Sequence, residues 1–428
     1  MSNNEHDLYS GVISQAHIRE ADDIITAVQS ALSLPEFDAI AHIFHTIVAC
    51  ESVSDHEGVL ADAIEQLCRS CRQYEVTRIG DSVVASTKAH RKHRIILAAH
   101  LDTVPVDGNL PPVWIDESDS RYRKDASKAQ HPQAMLWGRG ASDMKGSLSA
   151  FLFLALTVTE TDYDLTFVFY DHEETGAARN GLKRIVEQHP DLVQGDFAIV
   201  GEATGQSIAA GCNGSLRFDV ISQGKAAHSA HSWMGKNAIH QARHILEVLD
   251  EYKARCINVE SVPYQEGLNA TLIHGGTAPN MIPDSCIVHV NYRYAPDKSS
   301  QEAAAYIGGP AAAEASLDTQ FTADGGLFEG WPLIIRNNSP AAKPTLYPEV
   351  VRRFTKYAKQ ELSSSITAKL GWTDVARFIQ LDIPAVNFGT GNPAYAHNPN
   401  EQASVDDLVE YAQFLKRYLQ SSNAVNCD

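Results

Sequence analysis

Over about the first eighty residues, apolar side chains recur at intervals of three and four, the spacing of a buried helix face. Three segments show this spacing, and each is long enough for several helical turns. They are ADDIITAVQSALSL (21–34), DAIAHIFHTIVA (38–49) and GVLADAIEQLCRS (58–70). The chain is therefore predicted to begin with three helices.

Short runs of apolar and β-branched residues then alternate with helical segments. The predicted strands are RIILAAHLD (94–102), LTFVFYD (165–171) and DFAIVGE (196–202), separated by the helical segments KGSLSAFLFLALTV (145–158) and GLKRIVEQH (181–189). Such alternation is typical of βαβ units with a parallel sheet between helices. We therefore predict an α/β fold with a mixed, largely parallel sheet flanked by helices.

The pattern changes at about Gly211. From there, apolar and polar residues alternate within each predicted strand, and the strands precede and follow one long helical segment. These segments are SLRFDVISQG (215–224), GKNAIHQARHILEVLDEYKA (235–254), GLNATLIHGG (267–276) and CIVHVNYRYAP (286–296). They predict a small α+β domain inserted into the first one.

In the last part of the chain an apolar strand is again followed by a helix, as in the alternating region. The strand is predicted in IPAVNFG (383–389) and the helix in SVDDLVEYAQFLKRYL (404–419). We therefore assign residues 1–210 and 321–428 to the larger domain. Residues 211–320 form the predicted insertion.

Length and charge limit the class of protein. With 428 residues and 44% hydrophobic side chains, the chain suits two globular domains. Its formal charge of −18 argues against nucleic acid as a partner, because phosphate binding needs clustered Lys and Arg. No stretch approaches the roughly 20 apolar residues of a membrane span, and the N-terminus does not resemble a signal peptide. We expect a cytoplasmic protein with no membrane partner.

The seven cysteines agree with that compartment. Cys68 and Cys71 form one CxxC pair within a predicted helix, with no second Cys or His pair near it in sequence. We interpret them as ordinary helix cysteines. The other five are scattered and predict no disulfide framework.

Acids and histidines cluster where the predicted strands end. His100 and Asp102 end the first strand of the alternating region, Glu173 and Glu174 follow the second, and Glu202 follows the third. In open α/β sheets, ligands bind outside the carboxyl ends of the strands. Asp143 lies in a glycine-rich turn before a helix, and His397 lies in a loop after the IPAVNFG strand. These side chains are expected to share one cleft.

So many acids in one cleft repel each other unless a cation neutralises them. Imidazole and carboxylate ligands favour zinc or a similar first-row metal ion. Two histidines and at least three acids exceed the needs of one catalytic zinc ion. We therefore predict two Zn²⁺ ions, for which Co²⁺ can substitute, about 3.5–4 Å apart. Asp102 is expected to accept a hydrogen bond from the His100 ring nitrogen that does not bind metal.

Six short motifs resemble those of a known family. They are HLDTVP (100–105), GRGASDMKG (138–146), DHEETG (171–176), GEATG (201–205), GKAAHSA (224–230) and GGTAPNMIP (275–283). In this order they resemble the di-zinc aminoacylase and carboxypeptidase family of metallopeptidases, from about residue 95 to the C-terminus. The segments AGCNGSLRF and HSWMGKNAIH are most similar to the branch that removes succinyl groups from an N-succinyl diamino acid.

The resemblance implies a role for each motif residue. His100, Asp143 and Glu202 would bind one zinc ion, and Asp143, Glu174 and His397 the other. Glu173 would be the general base, and Asp102 would orient His100.

The inserted domain would then be a lid and dimerisation domain. His228 of that domain would reach the partner subunit's active site in a homodimer. The implied substrate-binding residues are Asn280, Arg293, Thr373 and Arg377.

The implied activity is hydrolysis of the amide bond of an N-acyl amino acid. Three alternatives stay open: removal of succinyl from a diamino acid, another deacylation or peptidase reaction such as acetylornithine deacetylation, and a binding homologue without catalysis. Intact Asp143, Glu173 and Glu174 argue against the last, since a scaffold has no use for a general base. His172 is interpreted as exposed or as a neighbour of the ligands, and His231 as a surface residue or substrate contact.

Overall fold

The computed structural model describes residues 18–129 and 134–420, which form two compact units. Unit 2 consists of Ala210–Pro344 and Thr367–Ala376, and unit 1 contains the rest. The first predicted boundary, near residue 210, agrees with this division. The second boundary, at 320, was placed too early, because a strand that begins at Pro332 pairs within the sheet of unit 2.

Unit 1 begins with the three predicted helices, α1 (Ala21–Ala31), α2 (Glu36–Ala49) and α3 (Gly58–Ser70). Their apolar faces are buried in one core, and Cys68 of α3 is part of it. All described cysteines are unpaired, as the interpretation of Cys68 and Cys71 requires.

The alternating region follows. Its elements are β1 (Tyr74–Ile79), β2 (Ser82–Thr87), β3 (His93–His100), β4 (Val113–Ile115), β5 (Met135–Trp137), α4 (Gly146–Thr157), β6 (Tyr163–Tyr170), α5 (Gly181–Gln188), β7 (Phe197–Val200) and β8 (Ile208–Ala210). Helix α4 is buried from Gly146 to Ala155, and every residue of β6 is buried. Their sequences are apolar on all sides because both elements lie inside the unit.

Unit 2 contains twelve of the described elements. They are β9 (Gly214–Gln223), β10 (Ala227–His228), α6 (Ala238–Gln241), α7 (Arg243–Glu251), β11 (Cys256–Val259), β12 (Val262–Gln265), β13 (Gly267–Gly275), β14 (Met281–Ile282), β15 (Ser285–Tyr294), α8 (Ser300–Glu314), β16 (Gln320–Thr322) and β17 (Pro332–Ser339). The helix predicted over 235–254 is two short helices, α6 and α7.

The remaining elements complete the chain. They are α9 (Glu349–Leu362), β18 (Ile366–Ala368), α10 (Val375–Gln380), β19 (Ala385–Asn387), β20 (Gln402–Ser404) and α11 (Val405–Gln420). None of the described helices is long and apolar enough to cross a membrane.

The main sheet has the strand order β1-β2-β6-β3-β7-β19-β8-β18. Strands β6, β3, β7 and β19 pair in parallel, whereas β1 and β2 join antiparallel at the edge. The predicted mixed, largely parallel sheet is confirmed. Because the four parallel strands point the same way, the segments that follow them begin at one edge of the sheet.

Unit 2 has a five-stranded sheet in the order β13-β15-β9-β17-β16. Leu216, Phe218 and Val220 of β9 contribute to the core on one face, where helices α6, α7 and α8 also contribute side chains. The alternate residues of β9, among them Arg217 and Asp219, occupy the opposite face. The predicted α+β character of the insertion agrees with this arrangement.

Candidate metal centre

The strand register places the predicted site residues side by side. His100, the last residue of β3, lies opposite Tyr170, the last residue of β6. On the other side of β3, Val200 ends β7 next to Ala98, and it also pairs with Asn387 at the end of β19. Loops that carry Asp102, Glu174, Glu202 and His397 therefore leave neighbouring strands at the same edge.

Three of these side chains come close enough to share one metal ion. His100, Asp143 and Glu174 each offer a ligand atom, and these atoms lie within 4.8 Å of one another. The Nε2 atom of His100 is 3.4 Å from Oδ1 of Asp143. His100 is buried, whereas Asp143 and Glu174 are partly accessible. The group combines an imidazole with two carboxylates, a donor set that suits zinc.

His397 contacts the same two carboxylates. Its Nε2 atom lies 2.9 Å from Oε1 of Glu174 and 3.4 Å from Oδ2 of Asp143. The residue has a left-handed φ of 62°, which turns the loop back toward the acids. Asp143 and Glu174 thus each contact His397 and lie within reach of His100.

The electrostatics of this cluster favour a bound cation. Burial raises the pKa of Glu174, and the neighbouring charge of Asp143 raises it further. Hydrogen bonds to Asp143 and Glu174 raise the pKa of His397 to about 10. The protein alone would therefore hold extra protons here, and a divalent cation can replace them as the compensating charge.

Asp102 makes different contacts from those predicted. The Nδ1 atom of His100 lies 2.9 Å from the main-chain carbonyl oxygen of Asp102 and 3.7 Å from its carboxylate. The carboxylate instead accepts hydrogen bonds from Ser54 Oγ at 2.7 Å and from the main-chain N–H groups of Glu173 and Glu174 at 2.9 and 3.0 Å. The predicted hydrogen bond from His100 to the Asp102 side chain was wrong, because these three donors hold the carboxylate.

The structure places the remaining two predicted acids at the same sheet edge. Glu173 is half-buried. Burial opposes a charge on His100, but contact with Asp143 and the charges of Asp102 and Glu173 outweigh burial and raise the pKa of His100. Glu202 follows β7 by two residues and is almost completely buried. The close group of three ligands does not include Glu202. Its role as a metal ligand stays a prediction.

Glu401 was not predicted and anchors the Asp143 loop. Its Oε1 atom accepts the main-chain N–H groups of Ser142 and Asp143 at 3.0 Å each, and its Oε2 atom pairs with Arg139 at 2.9 Å. Arg139 also donates to the carbonyl oxygen of Asn398, next to His397. Both partners are buried, so this pair fixes the loops of two candidate ligands.

Two further groups support the site, buried Lys145 and partly exposed His172. Lys145 donates from Nζ to the carbonyl oxygen of Cys50 at 2.6 Å, and burial lowers its pKa to about 8. His172 contacts Asp171 through Nδ1 at 2.7 Å, and its main-chain N–H donates to Glu57 at 3.1 Å. His172 therefore lies beside the acids as a neighbour and holds the turn before Glu173.

Unit 2 carries four of the remaining predicted residues. His228 ends β10 and pairs with Met281 of β14, and Ser229 donates its N–H to the carbonyl oxygen of Asn280. His228 and Asn280 are thus neighbours within this unit. Arg293 lies on β15, away from both in sequence. Thr373, in the short segment of unit 2, is buried.

The other two predicted residues differ in their surroundings. Arg377 belongs to α10 in unit 1 and is buried. His231 is exposed, with its ring 6.1 Å from that of His228 and 5.3 Å from that of Trp233. Substrate contacts for these residues stay predictions.

The fold and the cluster of His and acidic side chains define a metallopeptidase-type site. Residues 96–421 match peptidase family M20/M25/M40, and the chain belongs to this family. The family resemblance inferred from the motifs is confirmed.

Two named relatives are similar to this chain over most of its length. The chain is 39% identical over 374 residues to a putative succinyl-diaminopimelate desuccinylase, DapE, of Mycobacterium tuberculosis, covering 87% of this chain and 96% of that protein. It is 35% identical to succinyl-diaminopimelate desuccinylase of Corynebacterium glutamicum, covering 87% and 94%.

Solved structures share the fold. A tripeptidase from Staphylococcus aureus has a TM-score of 0.67 at 17% identity, covering 89% of this chain and 97% of that one. YxeP of Bacillus subtilis, described as a dinuclear metal-binding peptidase of the M20 family, has a TM-score of 0.59 at 16% identity, covering 90% and 98%.

Proposed function

We propose that this protein is a metal-dependent hydrolase that cleaves N-succinyl-L,L-2,6-diaminopimelate to succinate and L,L-2,6-diaminopimelate, a step of lysine and diaminopimelate biosynthesis. The observation that carries the proposal is the group of His100, Asp143 and Glu174, with His397 against the same acids. The identity of 39% to a putative desuccinylase over 96% of its length supports this substrate.

The residues at this edge of the sheet are proposed to hold two zinc ions. His100, Asp143 and Glu202 would hold one ion, and Asp143, Glu174 and His397 the other, so Asp143 would be shared. Contacts of His397 with both Asp143 and Glu174 support the second set. Bound zinc would supply Lewis acidity toward the amide carbonyl, and Co²⁺ can substitute for it because it accepts the same ligands.

Glu173 is the proposed general base. Its main-chain N–H is held by Asp102, and its side chain is half-buried beside the candidate ligands. In this position Glu173 takes a proton from the attacking water and later donates it to the leaving nitrogen. Glu174, whose N–H is held by the other carboxylate oxygen of Asp102, remains available as a ligand.

Substitution of the two adjacent glutamates separates these roles. Glu173→Gln should abolish turnover while the zinc content stays near that of the wild type. Glu174→Gln should lose zinc as well as activity. Zinc content by mass spectrometry and succinate release would be measured on both variants, and equal zinc loss in both would reverse the assignment.

Residues of unit 2 are proposed to bind the substrate and to complete the site. His228 would stabilise the oxyanion of the tetrahedral intermediate in the partner subunit's site. Asn280, Arg293 and Thr373 of this unit would bind substrate, as would Arg377 of unit 1, with the arginines acting on its carboxylates through paired hydrogen bonds.

A homodimer through unit 2 is part of the proposal. Strand β13 lies at the edge of its sheet and exposes Ile273 by 50%, and exposed Ile239 of α6 lies against Gly275 of the same strand. An exposed apolar edge strand is a surface that a second copy can cover. Ile273→Lys should convert the dimer to monomers in sedimentation experiments. A wild-type monomer with full activity would contradict this part.

Another deacylase or peptidase activity is the alternative, because some relatives are named probable carboxypeptidases, one at 29% identity over 67% of this chain. Direct comparison of substrates decides between them. The cytoplasm is the proposed compartment, and the unpaired state of the described cysteines agrees with it.

A further inference from the structure

Helix α9 of unit 1 carries three cationic side chains along one exposed face. Arg352, Lys356 and Lys359 are separated by four and then three positions, so they lie on the same side of the helix. All three are exposed. The opposite face is apolar, and Phe354 and Ala358 are buried in the core of unit 1. The helix therefore packs on one side and presents a row of positive charge on the other.

None of these three side chains pairs with an acid within residues 18–129 and 134–420. The acids of the same helix have other partners. Glu349 pairs with Arg353, and Glu361 lies 3.9 Å from Arg417 of α11. The three cations thus keep their charge uncompensated by the described part of a chain whose net charge is −18.

The stability of α9 does not account for this row. Like charges three or four positions apart destabilise a helix. The negative end of the helix dipole favours Lys359, which lies in the last turn, but it does not favour Arg352, the fourth residue of the helix. A role in binding explains why all three charges share one face.

A surface cavity of about 810 Å³ lies beside the three cations. They line it together with the hydroxyl groups of Thr355, Ser363 and Ser365 and the exposed side chain of Ile366. No acid among the described residues lines this cavity. Its volume falls within the range of about 300–1,000 Å³ that is typical of small-molecule sites. The lining offers positive charge and hydroxyl donors to an anion.

The wall opposite the row of cations is held in place by the main sheet. Ser364 is buried and donates from Oγ to the carbonyl oxygen of Gln206 at 2.8 Å. The main-chain N–H of Ile208, at the start of β8, donates to the carbonyl oxygen of Ser365 at 2.8 Å. Because this wall is fixed before a ligand arrives, binding does not have to order it.

We propose that this cavity binds a small organic anion that carries two phosphate groups. Arg352 and Lys359 are separated by a rise of about 10 Å along the helix, a span that suits two separated phosphates better than one. Each phosphate monoester carries a charge of roughly −1.5 to −2 at pH 7, so two of them balance three cations. Guanidinium and ammonium groups both bind phosphate, and Ile366 offers an apolar surface to the carbon part. The site does not depend on the proposed function.

Calorimetric titration of the zinc-loaded full-length protein tests the site. Fructose 1,6-bisphosphate is the probe, because a sugar holds its two phosphates apart, and fructose 6-phosphate is the matched ligand with one phosphate. The bisphosphate should bind at least about tenfold more tightly, and its affinity should fall as the salt concentration rises. Equal affinities for the two sugars, or no binding of the bisphosphate, would overturn the proposal.

Variants of α9 assign the binding to this cavity. Lys356→Gln and Arg352→Gln should each weaken bisphosphate binding by about tenfold or more, because each removes a charge-assisted contact. Arg353→Gln is the matched control, since Arg353 belongs to the same helix but pairs with Glu349 and does not line the cavity. Its affinity should stay within about twofold of the wild type. An unchanged affinity in Lys356→Gln, or an equal loss in Arg353→Gln, would refute the site.

A phosphorylated lipid headgroup offers the same chemistry as a dissolved bisphosphate, and vesicles distinguish the two sources. Phosphatidylcholine vesicles with and without phosphatidylinositol 4,5-bisphosphate would be sedimented with the wild-type protein. Binding of the dissolved probe without sedimentation on either vesicle supports the proposal. Sedimentation on the phosphorylated vesicles without binding of the dissolved probe would overturn it.

Discussion

The carboxylate of Asp102 holds the turn that carries Glu173 and Glu174, and Asp102→Asn tests this role. Oδ1 of Asp102 accepts the N–H of Glu173, while Oδ2 accepts the N–H of Glu174 and the Ser54 hydroxyl. An asparagine has one oxygen, so its amide nitrogen must face at least one main-chain N–H donor. At least one hydrogen bond to a fully buried carboxylate is therefore lost.

Loss of such a bond to a charged group costs about 1.5–3 kcal/mol. If misplacement of Glu173 adds this whole cost to the activation free energy, kcat falls by about 10- to 150-fold. His100 should keep its contact, because its Nδ1 hydrogen bond goes to the main-chain oxygen of Asp102 and survives the substitution. Zinc content should therefore change less than kcat.

The assay measures kcat, KM and zinc content for Asp102→Asn and for Ser54→Ala. Ser54→Ala removes one donor to the same carboxylate but keeps both main-chain bonds that hold the two glutamates, so kcat should fall less than in Asp102→Asn. A variant Asp102→Asn that loses most of its zinc but keeps its kcat per bound zinc would refute this reasoning. That result would mean that Asp102 acts through His100.

Two further substitutions test the supporting structure. Glu401→Gln should cost about 3–5 kcal/mol of unfolding free energy, because it leaves the buried charge of Arg139 without an acidic partner. Adding Arg139→Met should recover part of this cost, and additive costs in a denaturant titration would contradict the pairing. In unit 2, burial opposes ionisation of Glu266, but hydrogen bonds from Arg255 and Lys298 outweigh it and lower its pKa to about 2. The stabilisation from ionised Glu266 is present above pH 4.5 and disappears as the pH falls to about 2. Glu266→Gln should therefore lower the unfolding free energy by about 2–3 kcal/mol at pH 7 and match the wild type near pH 2. A difference in unfolding free energy that stays constant across this pH range would refute the prediction.

Local patterns in the sequence were sufficient for much of the fold. The alternation of β3, α4, β6, α5 and β7 follows from the length and composition of successive apolar runs, since short β-branched and aromatic runs alternate with longer helical ones and β3, α4 and β6 are largely buried. Strand β17 was missed because it begins with Pro332 and ends in the polar residues Asn337, Asn338 and Ser339. Its pairing with β9 depends on a distant partner.

The site residues also fall into two groups, those that the sequence predicts and those that it does not. His100, Glu174 and His397 were predicted because each follows a strand of the parallel sheet, and parallel strands bring their ends together. The contact of Arg139 with Glu401 joins residues 262 positions apart, and no local pattern predicts such a pair. The hydrogen bonds to the Asp102 carboxylate could not be predicted from the sequence either, since Ser54, one of the three donors, lies 48 positions before Asp102.

The most direct test of the central claim is the activity of the purified, zinc-loaded enzyme on two substrates. N-succinyl-L,L-2,6-diaminopimelate and N-acetyl-L-ornithine would be compared at matched concentrations, with release of succinate or acetate measured by chromatography. The proposed function predicts a kcat/KM at least about 100-fold higher for the succinyl substrate. A preference for N-acetylornithine, or no succinate release, would contradict it.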